Sequence, residues 1–193
     1  SVSTSKNSIV ITQSNFMLNN CKGGTECRGG AIGIDNNASA TIVNSLITKN
    51  NAKNYGGGIY TRKDSVVNLV FSTIADNTTG TASNSGSGIH NFDNSTSNVY
   101  SSIIHGNSPG SQIQNNSGGK SNVTYSLVQG GHAGTGNINA DPLFVDRANN
   151  NYHLNTGSEC IDTAGTAAEN PVIDLDGKTR PNGPGFDMGC YEF

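Results

Sequence analysis

"GGGIYTRKDSVVNLVFSTIADN", residues Gly56 to Asn77, holds three short strand-like runs separated by turn residues, with no apolar stripe at helical spacing. The same arrangement recurs on both sides of it. The isoleucine that follows each glycine-rich start falls at Ile32, Ile59, Ile89 and Ile113, at spacings of 27, 30 and 24 residues. Thirteen residues after each isoleucine stands Ser45, Ser72, Ser102 or Ser126, an offset that never varies. Ile42, Leu69, Val99 and Val123 occupy a second fixed phase, and Ile47, Ile74, Ile104 and Val128 a third. Asn50, Asn77 and Asn107 close the units, the fourth having Gly131 there, and Ser14, Phe16 and Asn19 supply part of an earlier unit.

Three short strands per repeat, each with one inward apolar position, describe a three-sided coil. A single coil cannot bury those positions, so coils must stack, and stacking lines equivalent side chains into ladders. Alternation along the second strand sends Ala40 and Ile42, or Val67 and Leu69, inward and leaves Thr41, Asn68, Asn98 and Asn122 outward. The recurring Asn and Ser are thus read as scaffold, with Asn expected to accept a left-handed corner and bond to the next coil. Length variation is confined to one corner, where "TTGTASNSGSG" is the longest version. The prediction is an all-β chain: parallel β-helix coils over residues 1–138, about five to six of them at 24–30 residues each, then a capping segment over 139–193 continuous with the helix.

Composition agrees with such a chain: 33% apolar, 13% charged, no Trp and 25 Gly suit a narrow core and many turns. A net charge of -3 with 11 scattered basic residues gives no nucleic-acid footprint. No apolar run is long enough for membrane insertion in this segment. Cys21 with Cys27 and Cys160 with Cys190 form two groups whose spacing suits neither zinc nor a redox CxxC. Two disulfides in a secreted or cell-surface protein are the reading, against four free thiols in a reducing cell. Asn77-Thr78-Thr79 and Asn122-Val123-Thr124 match glycosylation sequons, as chance alone provides in so Asn-rich a chain.

The G-G-x-I and S-x-I-x-x-N signals over roughly residues 8 to 138 resemble the right-handed parallel β-helix repeats of bacterial surface proteins and polysaccharide-active enzymes. Right-handedness is what that resemblance implies. "ADPLFVD", "YHL", "GSECID" and "DLDGKTRP" through "DMGCYE" resemble, in order, the C-terminal module called choice-of-anchor Q, which implies an exported bacterial protein. Fold-level likeness does not supply an activity.

In the capping segment, a Cys160–Cys190 bridge is expected to hold the last strand over the end of the final coil, covering its unpaired edge. Asp174 and Asp176 are a candidate calcium pair, calcium being a candidate ligand while no cofactor is required; the competing reading is a turn with Arg180 paired to Asp162 or Asp187. On the coils, Tyr60, Arg62, His90, Phe92 and Gln114 are expected on one outward face, where aromatic rings can stack on a sugar and a cation can pair with its carboxylate. His90 and Lys63 are candidate bases, but Asp35, Asp64 and Asp93 fall at turn phases and no catalytic carboxylate pair is evident. The expected function is a non-catalytic, adhesin-like surface module whose partner is an extracellular glycan or surface polysaccharide. The alternatives are a polysaccharide lyase or epimerase acting on acidic glycans, or a structural subunit that self-associates end to end through an open first coil.

Overall fold

The structure is a computed structural model and describes residues 7–23, 26–80, 85–166 and 170–193. It is a parallel β-solenoid of about four turns, without helices among the described residues. That is fewer turns than the spacing suggested, because the chain leaves phase after Val128 and the first-strand sheet begins only at Ile32. First strands Ile32–Ile34, Ile59–Thr61, Gly86–Phe92 and Ser111–Asn116 form one parallel sheet. Second strands Ser8–Thr12, Ser39–Val43, Val66–Val70, Thr96–Tyr100 and Lys120–Thr124 form another. Third strands Asn15–Met17, Leu46–Thr48, Thr73–Ala75, Ile103–His105 and Leu127–Val128 form the last long one. A fourth rung that the sequence pattern did not suggest, Asn20–Cys21, Asn51–Ala52 and Thr78–Thr79, pairs at the variable corner. Residues 81–84 of that corner lie outside the described residues.

Register follows the repeat phases. Ile32 pairs with Ile59, Ile59 with Ile89 and Ile89 with Ile113, and the second and third strands keep equivalent positions opposite one another. The inward residues Ile42, Ile47, Ile59, Leu69, Ile74, Ile89 and Ile104 are all 0% exposed and form one continuous core.

Two buried polar ladders hold the corners. Ser45, Ser72 and Ser102 each donate their N–H to the hydroxyl of the next serine at 3.0–3.1 Å, and Ser126 donates its own to Asn137 Oδ1. Asn50 and Asn77 each give both N–H and Nδ2 to the next asparagine's Oδ1, and Asn107 ends the series on Gln112 Oε1. Gln112 takes this place because the fourth unit has Gly131 at the asparagine phase. The left-handed residue is not the asparagine itself but its predecessor, Lys49, Asp76 or Gly106, so the asparagines serve the ladder alone. Gly58 and Gly88 are glycines because a Cβ there would meet the neighbouring carbonyl at 2.7 and 2.5 Å and crowd Asn77 and Asn107.

The C-terminal segment lies along a flank rather than over the end of the final coil. Its hairpin of Phe144–Asp146 against Asn151–Leu154 packs on the outer side of the third-strand sheet, Tyr152 on Leu46 and Ala75, Leu154 on Ile103 and Leu127. Tyr152 OH donates to Asp76, which also pairs with Arg147, while Lys49 Nζ reaches Asn150 and Asn44 reaches Ile173 O. A parallel sheet with both faces apolar must be covered on both, and Leu46, Ile103 and Leu127 make this one so. The last rung is covered instead by the loop before the hairpin, where Ile138 bridges Leu127.

Cys21 and Cys27 are disulfide-bonded, but Cys160 and Cys190 are free thiols, which corrects the second expected bridge. Both are 0% exposed in separate apolar clusters: Cys160 with Ile103, Leu127, Leu154 and Met188, Cys190 with Leu46, Ala75 and Tyr152. The two sulfurs thus sit over different coils. Burial raises each thiol to about 12.

Candidate functional site

The outward phase of the first-strand sheet reads Gly33, Tyr60, His90, Gln114 from coil to coil, and the next reads Asp35, Arg62, Phe92, Asn116. Tyr60 and His90 were expected to be free for a partner, and they are not: they are 5% and 1% exposed. The cover comes from the phase four residues before each isoleucine. Arg28 and Tyr55 occupy it on successive coils and bridge to each other. Tyr55 lies 4.9 Å from the His90 ring and 6.5 Å from Tyr60, and Arg28 stands 5.5 Å over Tyr60. The signal for this was in the repeat itself, at a phase to which the strand pattern assigned no task. Phe92, 6.3 Å from His90, and Gln114, bonded to Asn116, remain half-buried at the far end of the row.

What stays accessible is a cavity of about 250 Å³ lined by Glu26, Arg28, Gly33, Asp35, Tyr60 and Arg62. Gly33 creates it: where later coils place a side chain, this coil has none, and a Cβ there would find only Arg28 O at 3.8 Å. Each cation is set by a carboxylate. Arg62 gives Nε and Nη2 to Asp35 Oδ2 at 3.0 and 2.5 Å, which holds the Asp35 carboxyl below its usual range. Arg28 gives Nη1 and Nη2 to the two Glu26 oxygens at 3.2 and 3.3 Å, while its buried Nε has no partner. A planar guanidinium pre-oriented at an open cavity is suited to a carboxylate on a sugar ring.

Neither candidate base serves that cavity. His90 Nδ1 accepts from Gly86 N at 3.2 Å, and burial lowers the imidazole to about 4. Lys63, on a left-handed turn, donates to Asn36 Oδ1. His90 has a consequence for stability. Its folded pKa lies below the unfolded value of about 6.5, so the unfolded chain binds the proton first and stability drains away as pH falls from about 6.5 to about 4. His90→Gln is expected to flatten that part of the pH profile of urea unfolding by something on the order of 2 kcal/mol. An unchanged slope contradicts the burial of His90.

The acidic group of the C-terminal segment does not converge on a cation. Asp174, 0% exposed, accepts backbone N–H groups from Asp176, Lys178 and Glu192. Asp176 turns away to His153 Nε2 at 2.7 Å. Asp174 and Asp176 thus spend these contacts on backbone N–H groups and on His153, and among the described residues no group of three or more His, Cys, Asp or Glu is placed to hold a metal. Arg180 pairs with neither Asp162 nor Asp187; its Nε lies 3.0 Å from Glu192 Oε2, a residue the charge pattern had not singled out. Asp187 is engaged instead by the backbone N–H of Asp162 and Phe193.

Comparison with protein-family models, with curated proteins and with solved structures gives no match for this chain.

Proposed function

We propose that the chain is a non-catalytic, exported surface module that binds an acidic glycan at the Gly33–Tyr60 cavity. The observation that carries this reading is the pair of carboxylate-set arginines lining a space left by a missing side chain. The disulfide of Cys21 and Cys27 and the likeness of the C-terminal elements to choice-of-anchor Q modules support export. A lyase or epimerase needs a base at the ring carbon beside the carboxylate, and His90 and Lys63 are both engaged elsewhere.

The test is calorimetric titration with oligogalacturonate and other uronate oligomers. Arg62→Gln and Gly33→Tyr are each expected to weaken binding about tenfold or more. Gly33 has no left-handed φ, so Tyr fits the backbone and fills the cavity without unfolding the coil. Equal binding by both variants overturns the site, and unsaturated product absorbing in the ultraviolet overturns the non-catalytic reading. End-to-end self-association is a second reading, favoured by Ile9, Val10 and Leu18 on the first described coil, which are 57%, 68% and 67% exposed. Light scattering that grows with concentration supports it, and a constant monomer mass refutes it.

A further inference from the structure

The outer side of the second-strand sheet is unlike the other two flanks. On the first-strand flank Arg28 and Tyr55 cover Tyr60 and His90, and the C-terminal segment covers the third, but here a groove of about 480 Å³ runs across four successive coils. Its floor is an amide ladder facing solvent: Asn68 donates to Thr41 Oγ1 at 3.3 Å, Asn98 to Asn68 Oδ1 at 2.8 Å and Asn122 to Asn98 Oδ1 at 2.8 Å. Its wall is apolar, made by Val70 and Tyr100. The Tyr100 ring is held by Phe71 at 6.2 Å and Tyr125 at 5.9 Å, so it presents a fixed face.

An asparagine amide has two N–H donors and two carbonyl lone pairs. Asn98 spends one of each on the ladder, leaving one of each per rung for a ligand. Neighbouring rungs in a sheet repeat every ~4.7–4.9 Å, close to the advance of one pyranose in an extended β-linked chain. A donor and an acceptor beside an apolar strip match the hydroxyls and the C–H face of a sugar. None of the residues lining the groove carries a charge. A ligand carboxylate laid here finds amide donors but no cation to pair with, so an acidic polymer gains nothing over a neutral one.

We propose that this face is a second carbohydrate site, taking a neutral, hydroxyl-rich linear glycan laid along the solenoid axis with about one sugar per coil. It stands independently of the acidic site at Gly33 and uses different residues.

The experiment is titration of the whole chain with a length series of neutral β-linked oligosaccharides, glucan, xylan and mannan types, beside oligogalacturonate. Affinity is expected to rise with each sugar until the rungs Thr41, Asn68, Asn98 and Asn122 are covered, then level off. Asn98→Thr and Tyr100→Thr are each expected to weaken neutral binding about tenfold. Thr already occupies these phases at Thr41 and Thr124, so both variants keep a residue the coil accepts, with circular dichroism as the check. Gly33→Tyr is expected to leave neutral binding unchanged. No binding of any neutral oligomer, affinity independent of length, or wild-type affinity in both threonine variants overturns the proposal, whatever the outcome with oligogalacturonate.

Discussion

Asn77→Ala is expected to cost the fold roughly 4–6 kcal/mol, enough to unfold most of the population of an ordinary domain. Asn77 is 0% exposed and sits at the centre of the asparagine ladder. Its Oδ1 accepts from the N–H and the Nδ2 of Asn50, and its Nδ2 donates to Ile47 O and to Asn107 Oδ1. Alanine removes all of these and leaves two donors of Asn50 and the Ile47 carbonyl without water to replace the lost partner, while Asn107 Oδ1 keeps only the backbone N–H of residue 77. An orphaned buried polar group costs ~1–3 kcal/mol. Asn68→Ala is the control: it breaks the same kind of ladder on the solvent side, where water replaces the lost partner, and is expected to cost less than about 1 kcal/mol. Urea denaturation of both variants measures the difference, and equal losses contradict the role given to burial. Burial also removes Asn77 from the glycosylation candidates in the folded chain, whereas Asn122 is exposed.

Arg180→Met is expected to destabilise by about 3–5 kcal/mol at pH 8, because it strands a buried carboxylate. The side chains of Arg180 and Glu192 are 0% and 1% exposed, their charged atoms 3.0 Å apart. Arg180 also donates to Gly189 O and stands 4.9 Å over the Phe71 ring, so it ties the chain end to the second coil corner. Burial outweighs the attraction of Arg180 and raises Glu192 to about 7, with the Asp187 charge acting in the same direction. The folded chain therefore holds this proton where the unfolded one, with a carboxyl near 4.3, has released it. The Glu192 contribution is full below about 4.3 and is lost as pH rises through about 7. The Arg180→Met loss is accordingly expected to shrink at pH 5, where Glu192 is neutral, and the added change Glu192→Gln is expected to recover much of it at pH 8. Pair deletion that costs as much as the single change contradicts the stranded-charge account.

The coil was legible in the sequence because its core and ladder positions repeat in phase. Ile59, Leu69, Ile74, Ser72 and Asn77 each have counterparts at fixed offsets, and burial of a repeated apolar position has one physical solution, which is stacking. The coverage of the flanks was less legible. An outward strand position is read as solvent-facing unless something is known to lie on it, and what lies on Tyr60 and His90 is a corner residue of another phase, Tyr55. Leu46, Ile103 and Leu127 were apolar on a side that a lone solenoid exposes, and that was the sign that the C-terminal segment covers a flank. The separation of Cys160 and Cys190 is fixed by which coil each lies on, a relation no spacing rule contains. Gly33 has no side chain and so gave no signal of its own, although its missing side chain is what opens the cavity beside Arg62.

Hydroxyl-radical footprinting of side chains tests most directly a solenoid whose own chain covers Tyr60 and His90 on one flank and the third-strand sheet on another, and leaves the second-strand face open. The expected result is strong labelling of Val70 and Tyr100 on the open face and weak labelling of Tyr60, His90, Ile103, Leu127 and Met188. Labelling of Tyr60 and His90 as strong as that of Tyr100, or of Ile103 and Leu127 as strong as that of Val70, contradicts it.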